Sequence, residues 1–252
     1  LSQSRMLQGG GTAACQLSFG FARIGPAGLV CGSISGQLIS TSILGKLVWA
    51  ADKDIFRRIS HTGIAKNAKR YIKFPKFSAF GALVNNAGTA WAAALGDVPE
   101  NGWDKVMDLN AKSPFFLTQA LSPLLQKRAS ADNTASVINI GSIAGMVGNA
   151  MDNYSYAISK SAIHQLTRVL ATELAGSHVR VNAIAPGRFY SKMTDFLSSD
   201  EEAFQEELQS IPMRRWGKAS DISGVAIMLA SPAGAFITGQ IIPVDGGTTL
   251  VN

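Results

Sequence analysis

The chain is poor in charge, in cysteine and in histidine, and its first eighty residues contain no glutamate at all. Only 16% of its 252 residues are charged, while 46% are hydrophobic. That balance excludes a disordered, self-repelling chain and leaves ample apolar surface for a core. Two cysteines, Cys15 and Cys31, make no disulfide framework, and their spacing matches no metal motif. A reducing, cytoplasmic setting is expected. His61, His164 and His178 are scattered, so no metal site is expected. Residues 24–45 carry no charge but are too rich in Ser, Gly, Gln and Thr for a membrane span, and no signal-peptide pattern precedes them. No membrane partner is expected.

What charge there is divides unevenly. Residues 1–80 hold 11 Lys/Arg against Asp52 and Asp54, a balance of +9, whereas residues 81–252 carry −3. A basic half can attract nucleic acid. Here no aromatic-interleaved basic patch or binding motif accompanies the charge, and no nucleic-acid partner is expected. A basic face near an anionic phosphate, or plain solvated charge, is the milder reading. The missing glutamate is odd for a stretch that should carry three surface helices, and it raises a second reading in which residues 1–80 are misassigned or out of frame.

The length suits one α/β domain. Short apolar runs end in turn residues: ALVNNAG (82–88), SVINIGSIAG (136–145), VRVNAIAPG (179–187) and IIPVDGG (241–247). Upstream, SRML, AGLVCGS (27–33) and KLVWAAD (46–52) are further strand candidates. Helical stretches fall between, one near 102–127 with a break near Ser113-Pro114 and one near 153–175. This alternation predicts a single doubly wound (Rossmann-like) α/β domain, with about seven parallel strands and helices on both faces. Ligands in such sheets bind beyond the carboxyl ends of the strands, where all these turns converge.

Tyr156 and Lys160 stand four apart in DNYSYAISKSA and share a helix face. A cation beside a phenol favours the phenolate and suits it to exchange a proton with an alcohol or ketone near neutral pH. Tyr154 has no lysine four residues on. Ser142 follows a strand, fourteen residues before Tyr156, where its hydroxyl can meet a substrate oxygen. Asn110 lies inside a predicted helix, where asparagine is disfavoured. Alone, each has a plainer explanation: a surface Tyr–Lys pair, a turn serine, a kink bonded to its own backbone. Four such elements in this order are much harder to explain as coincidence.

The chain resembles the short-chain dehydrogenase/reductase family. NNAG (85–88), Asn110, Ser142, Tyr156-x-x-x-Lys160 and the Pro186-Gly187 turn carry the resemblance, together with TGQIIPVDGG (238–247). It is strong over residues 81–252 and most similar to the bacterial 3-oxoacyl reductase branch in IAPGRFYSKMT (184–194) and IPMRRWGKASDI (211–222). The resemblance implies that Tyr156 is the general acid in ketone reduction. Lys160 then tunes it and holds the nicotinamide ribose, Ser142 stabilises charge on the carbonyl oxygen, and Asn110 helps to hold a relay water.

It also implies that Asn86, Ala87, Gly88, Tyr156, Lys160, Pro186 and Gly187 line the cofactor. QGGGTAAC (8–15) takes the place of the phosphate loop, with Gly9, Gly11 and Thr12 as contacts, Ala13 where the family has a second glycine and Cys15 where it has a third. A rival loop, CGSISGQL (31–38), stands only 53 residues before Asn85. Ser33 marks the end of the second strand and Asp52 an adenine contact. No acid near Ser33 awaits a free ribose diol, so NADP(H) is expected, with NAD(H) as the alternative. The expected reaction is reduction of a ketone, with a 3-oxoacyl thioester as the implied substrate. An NAD(H)-dependent alcohol or polyol dehydrogenase and a non-catalytic nucleotide-binding scaffold are the rivals. Residues 188–215 are expected to form a flap, with EEAFQEELQ (201–209) as its helix. A homotetramer built on the two long helices is implied.

Overall fold

The computed structural model describes residues 29–31, 81–148, 152–190 and 201–251. Among these, five strands lie in one sheet in the order β1 to β5, every pair parallel. They are β1 (Leu29–Cys31), β2 (Ala82–Asn85), β3 (Ala135–Ile140), β4 (Val179–Pro186) and β5 (Ile241–Val244). All five fall in runs expected to be strands. The other two expected strands, SRML and KLVWAAD, lie outside the described residues.

The period-2 pattern sorts each strand's side chains between two cores. Ala82, Val84, Ile138, Ile140 and Ile184 face one way and pack with Ile222, Ala226 and Leu229 of α5 (Ala219–Ala230). Leu83, Val137, Val179 and Val181 face the other way. There they meet Leu121 and Leu125 of α2 (Ser113–Arg128), and Ala171 and Leu174 of α3 (Tyr154–Leu174). A sheet buried on both faces needs continuous apolar strands, which is what these sequences supply. The fold is the expected doubly wound α/β sheet.

Two helical details differ from expectation. α1 (Glu100–Met107) runs into α2 through a π-helical turn, Asp108–Lys112. The irregularity falls at Asn110 rather than at Ser113-Pro114, because proline in the first turn of α2 gives up only an N–H that needs no partner there. A second proline, Pro123, lies inside α2. It deprives the Gln119 carbonyl of its usual donor, and the Ser122 hydroxyl fills that role at 3.0 Å. The acidic run expected as a flap helix is α4 (Glu201–Ser210). Its Glu207 pairs with Arg188, and Phe204 meets Trp216 edge-on with ring centroids 5.2 Å apart.

Candidate active site

The carboxyl ends of β2, β3 and β4 deliver the motif residues to one edge of the sheet. A buried polar ladder sets those ends. Asn85 donates to Asn139 at 2.7 Å and to Thr118 at 3.2 Å, and Asn139 donates to Thr167 at 2.9 Å. The ladder ties β2 and β3 to α2 and α3. Neutral amides buried this way are tolerated because they bond one another.

Asn110 is a clamp. Its Oδ1 accepts from the Thr89 N–H at 2.9 Å, while its Nδ2 donates to the Thr89 carbonyl at 2.8 Å and to Ser159 Oγ at 2.9 Å. Both amide hydrogens are thereby used. The side chain joins the NNAG turn, the π-helical turn and α3, which explains why a helix-disfavoured residue stands here. Thr89 and Ser159 were not singled out from the sequence; only their place next to Gly88 and Lys160 could have drawn attention to them.

Lys160 is buried and donates to the Ile140 carbonyl at 2.9 Å. Its Nζ lies 5.5 Å from the centre of the Tyr156 ring. Gly88 faces the same ammonium: a Cβ at residue 88 would stand 3.6 Å from Nζ and 3.4 Å from Asn110 Oδ1. Ser142 follows the end of β3, is buried, and its Oγ accepts from the Ala144 N–H at 3.2 Å. That bond leaves the hydroxyl proton for another acceptor. Asn110, Tyr156, Lys160, Gly88 and the strand end carrying Ser142 are therefore brought together.

Tyr154 lines an apolar groove of about 460 Å³ with Leu95, Val98, Trp103 and Ile158, and a second groove with Ala144 and Gly145, just beyond Ser142.

Pro186-Gly187 closes β4, with the Gly187 N–H donating to Val244 at 2.9 Å. A Cβ at 187 would lie 2.7 Å from Asp245 Cα, so this approach requires glycine. Asp245 accepts from the Gly247 and Thr249 N–H groups and from the Thr249 hydroxyl. Burial alone would raise its carboxyl, but these hydrogen bonds outweigh burial and hold it below the usual range.

One buried residue stood out in the sequence only as a scattered histidine. His164 stands one turn beyond Lys160, and burial pushes its imidazole down to about 4.

The edge of the sheet fits a dinucleotide cofactor. Asn86 Oδ1 is buried without a partner among the described residues, and Gly88 leaves open the space a side chain would take beside Lys160. Gly9, Gly11, Thr12, Ser33 and Asp52 lie outside the described residues. No group of three metal-ligating side chains occurs among the described residues.

Comparison with known proteins agrees with this geometry. The profile of the family described as enoyl-(acyl carrier protein) reductase matches residues 71–249, and the chain belongs to the short-chain dehydrogenase/reductase family. A rhamnolipids biosynthesis 3-oxoacyl-[acyl-carrier-protein] reductase of Pseudomonas aeruginosa is 53% identical over 165 residues, covering 66% of this chain and 64% of that protein. The alignment thus spans just under two thirds of that relative. A galactitol 2-dehydrogenase of Cereibacter sphaeroides is 39% identical over 169 residues, 67% of this chain and 65% of that one. The solved Pseudomonas aeruginosa RhlG/NADP active-site complex is similar with a TM-score of 0.70 and 40% identity, covering 87% of this chain and 85% of that one.

Proposed function

We propose that this protein is an NADP(H)-dependent oxidoreductase that reduces a ketone to a secondary alcohol, with a 3-oxoacyl thioester as substrate. The observation that carries the reading is the placement of Lys160 between the Ile140 carbonyl and the Tyr156 ring, next to Gly88. A free-standing Tyr–Lys pair would not be buried against a strand end. The relatives' names support the substrate class and the NADP complex supports the cofactor.

Bound NADPH would supply a hydride to the carbonyl carbon; the protein's task is positioning and proton delivery. Tyr156 gives its phenolic proton to the carbonyl oxygen. The Lys160 ammonium favours the phenolate left behind, which lowers the cost of that transfer. Ser142 donates its free hydroxyl proton to the same oxygen as charge develops there. Asn110, its amide hydrogens already used, serves by holding Thr89 and Ser159 in place, so any relay water it keeps would sit at its backbone. Asn86, Ala87, Gly88, Pro186 and Gly187 would line the nicotinamide end, and Lys160 would reach the ribose.

Two candidate phosphate loops remain, and two observations favour different ones. Chain spacing favours QGGGTAAC, with Gly9, Gly11 and Thr12. Strand pairing favours CGSISGQL: β1 lies directly beside β2, the place held by the strand that precedes the phosphate loop in a doubly wound sheet. Ser33 then falls in the loop itself, and Asp52 in a later segment. Residues 188–215 are taken as a flap over the substrate, a homotetramer as the assembly, and the cytoplasm as the location. No helix among the described residues is long and apolar enough to cross a membrane.

A second reading, NAD(H)-dependent oxidation of a polyol, rests on the likeness to galactitol 2-dehydrogenase. Steady-state oxidation of NADPH and of NADH with a short 3-oxoacyl thioester separates the two. Turnover with NADPH supports the first reading; turnover only with NADH and a ketose supports the second.

A further inference from the structure

His164 lies one helical turn beyond Lys160 on the same face of α3, and only 3% of it is exposed. Its ring is wedged beneath the segment that carries the site. A Cβ at Gly141 would overlap the ring at Nε2 and stand 2.7 Å from Cδ2. The ring therefore lies flush against the Gly141 backbone. Gly141 separates Ile140, whose carbonyl receives Lys160, from Ser142. A hydrogen bond to the Gly145 backbone works against the effect of burial on the imidazole.

Gly145 is itself pressed onto α3. A Cβ there would come 2.5 Å from the Lys160 carbonyl carbon, and the Ser161 hydroxyl donates to the Gly145 carbonyl at 3.0 Å. Nε2 has no hydrogen-bond partner among the described residues. The single N–H of a neutral ring is therefore assigned to Nδ1, aimed at Gly145.

We propose that His164 is a positioning residue: as a neutral imidazole wedged between Gly141 and α3, it fixes the Ile140–Gly145 segment and so sets Ser142 against Tyr156 and Lys160. This rests on the function proposed above for those three residues. The charge distribution suits a neutral wedge. Lys160 and Arg168, on its own helix, are the charges that act on it, and both oppose protonation. The segment packed over it, Ile140–Gly145, bears no ionisable side chain. Arg180, the charged residue of β4, is committed to Thr134 and Leu229.

The test begins with two variants of the full chain. His164→Leu keeps most of the volume and loses the hydrogen bond; His164→Asn keeps a donor where Nδ1 stands. The expected result is a fall in kcat of about tenfold to a hundredfold for His164→Leu, with the NADPH dissociation constant unchanged, and recovery of most of that loss in His164→Asn. Equal kcat in wild type and His164→Leu overturns the proposal, and so does an equal loss in both variants.

If His164→Leu does not fold, Gly141→Ala answers instead. Its methyl must push on the ring, so kcat falls, and adding His164→Asn, which shortens the side chain, restores it. Undiminished activity in Gly141→Ala, or no recovery in the double variant, overturns the proposal. Amide hydrogen exchange across residues 141–146 separates this from failure of the proposed reaction. Faster exchange in His164→Leu than in wild type supports the wedge even where no ketone tested is reduced; unchanged exchange overturns it.

Discussion

The Lys160 ammonium donates to the main-chain carbonyl of Ile140 at 2.9 Å. This contact joins a helix to the end of the central strand by a charged side chain and fixes the height of Lys160 beside the Tyr156 ring, 5.5 Å from its centre. A long, flexible cation thereby becomes a rigid part of the site. The same strand end carries Ser142 one residue beyond Gly141, so the proposed acid, its cation and the hydroxyl proposed to meet the substrate oxygen share one frame.

Replacing Lys160 by Ala should therefore damage two things together. Cofactor affinity is expected to fall with loss of the proposed ribose contact, and kcat to fall by about a hundredfold or more because the phenolate loses its cation. Fluorescence titration with NADPH and steady-state kinetics read the two effects. A loss in one without the other would separate the roles assigned to this residue.

Arg180 is a buried cation held by neutral partners. Its Nη1 donates to the Leu229 carbonyl at 2.7 Å, at the C-terminal end of α5, and its Nε donates to Thr134 at 2.7 Å. Burial pulls its guanidinium below its ordinary value, and the negative end of the helix offsets part of that cost. Arg180→Met should lower unfolding stability by about 2 kcal/mol, read as a shift in urea midpoint, with the reaction of the folded enzyme unchanged because the residue stands at the far end of β4.

Stability should fall in mild acid through His164. Its folded value of about 4 lies below the ordinary 6.5, so between these limits the unfolded chain binds a proton that the folded chain refuses. The contribution is complete above pH 6.5 and is lost as pH falls toward 4, reaching about 3 kcal/mol. Urea midpoints at pH 7 and pH 4.5 should differ less in His164→Asn than in wild type. An identical pH dependence in the two proteins would count against a buried neutral imidazole.

The phosphate loop can be assigned by two glycine variants. If CGSISGQL cradles the pyrophosphate, Gly36→Val weakens NADPH binding by about tenfold or more, since the backbone can no longer approach the phosphates, while Gly9→Val leaves it unchanged. The reverse pattern assigns QGGGTAAC. Intact mass and peptide mapping of the purified chain decide whether residues 1–80 read as given.

The sequence exposed the sheet wherever strands were β-branched and ended in Gly, Asn or Pro. ALVN, ASVINI, VRVNAIAP and IIPV are all strands of the parallel sheet. Tyr156 and Lys160 were legible because helical spacing alone puts them on one face. The helix irregularity was misplaced because Pro114 is the obvious breaker, whereas the widened turn is centred on Asn110, whose side chain is bonded to Thr89 twenty-one residues away. The setting of His164 was invisible for a similar reason. Its surroundings are Gly141 and Gly145, and nothing in the spacing of a histidine on a helix says which glycines will cover it. The upstream residues gave no such purchase, since their glycine clusters fit two loops and their charge pattern fits neither half of a usual α/β unit.

The most direct test of the central claim is NADPH oxidation by wild type and Tyr156→Phe with a short 3-oxoacyl thioester, alongside NADPH binding by both. The account predicts turnover by wild type, loss of at least about a thousandfold in Tyr156→Phe, and equal NADPH affinity in the two. Undiminished turnover by Tyr156→Phe, or a wild type that binds no NADPH, would contradict it.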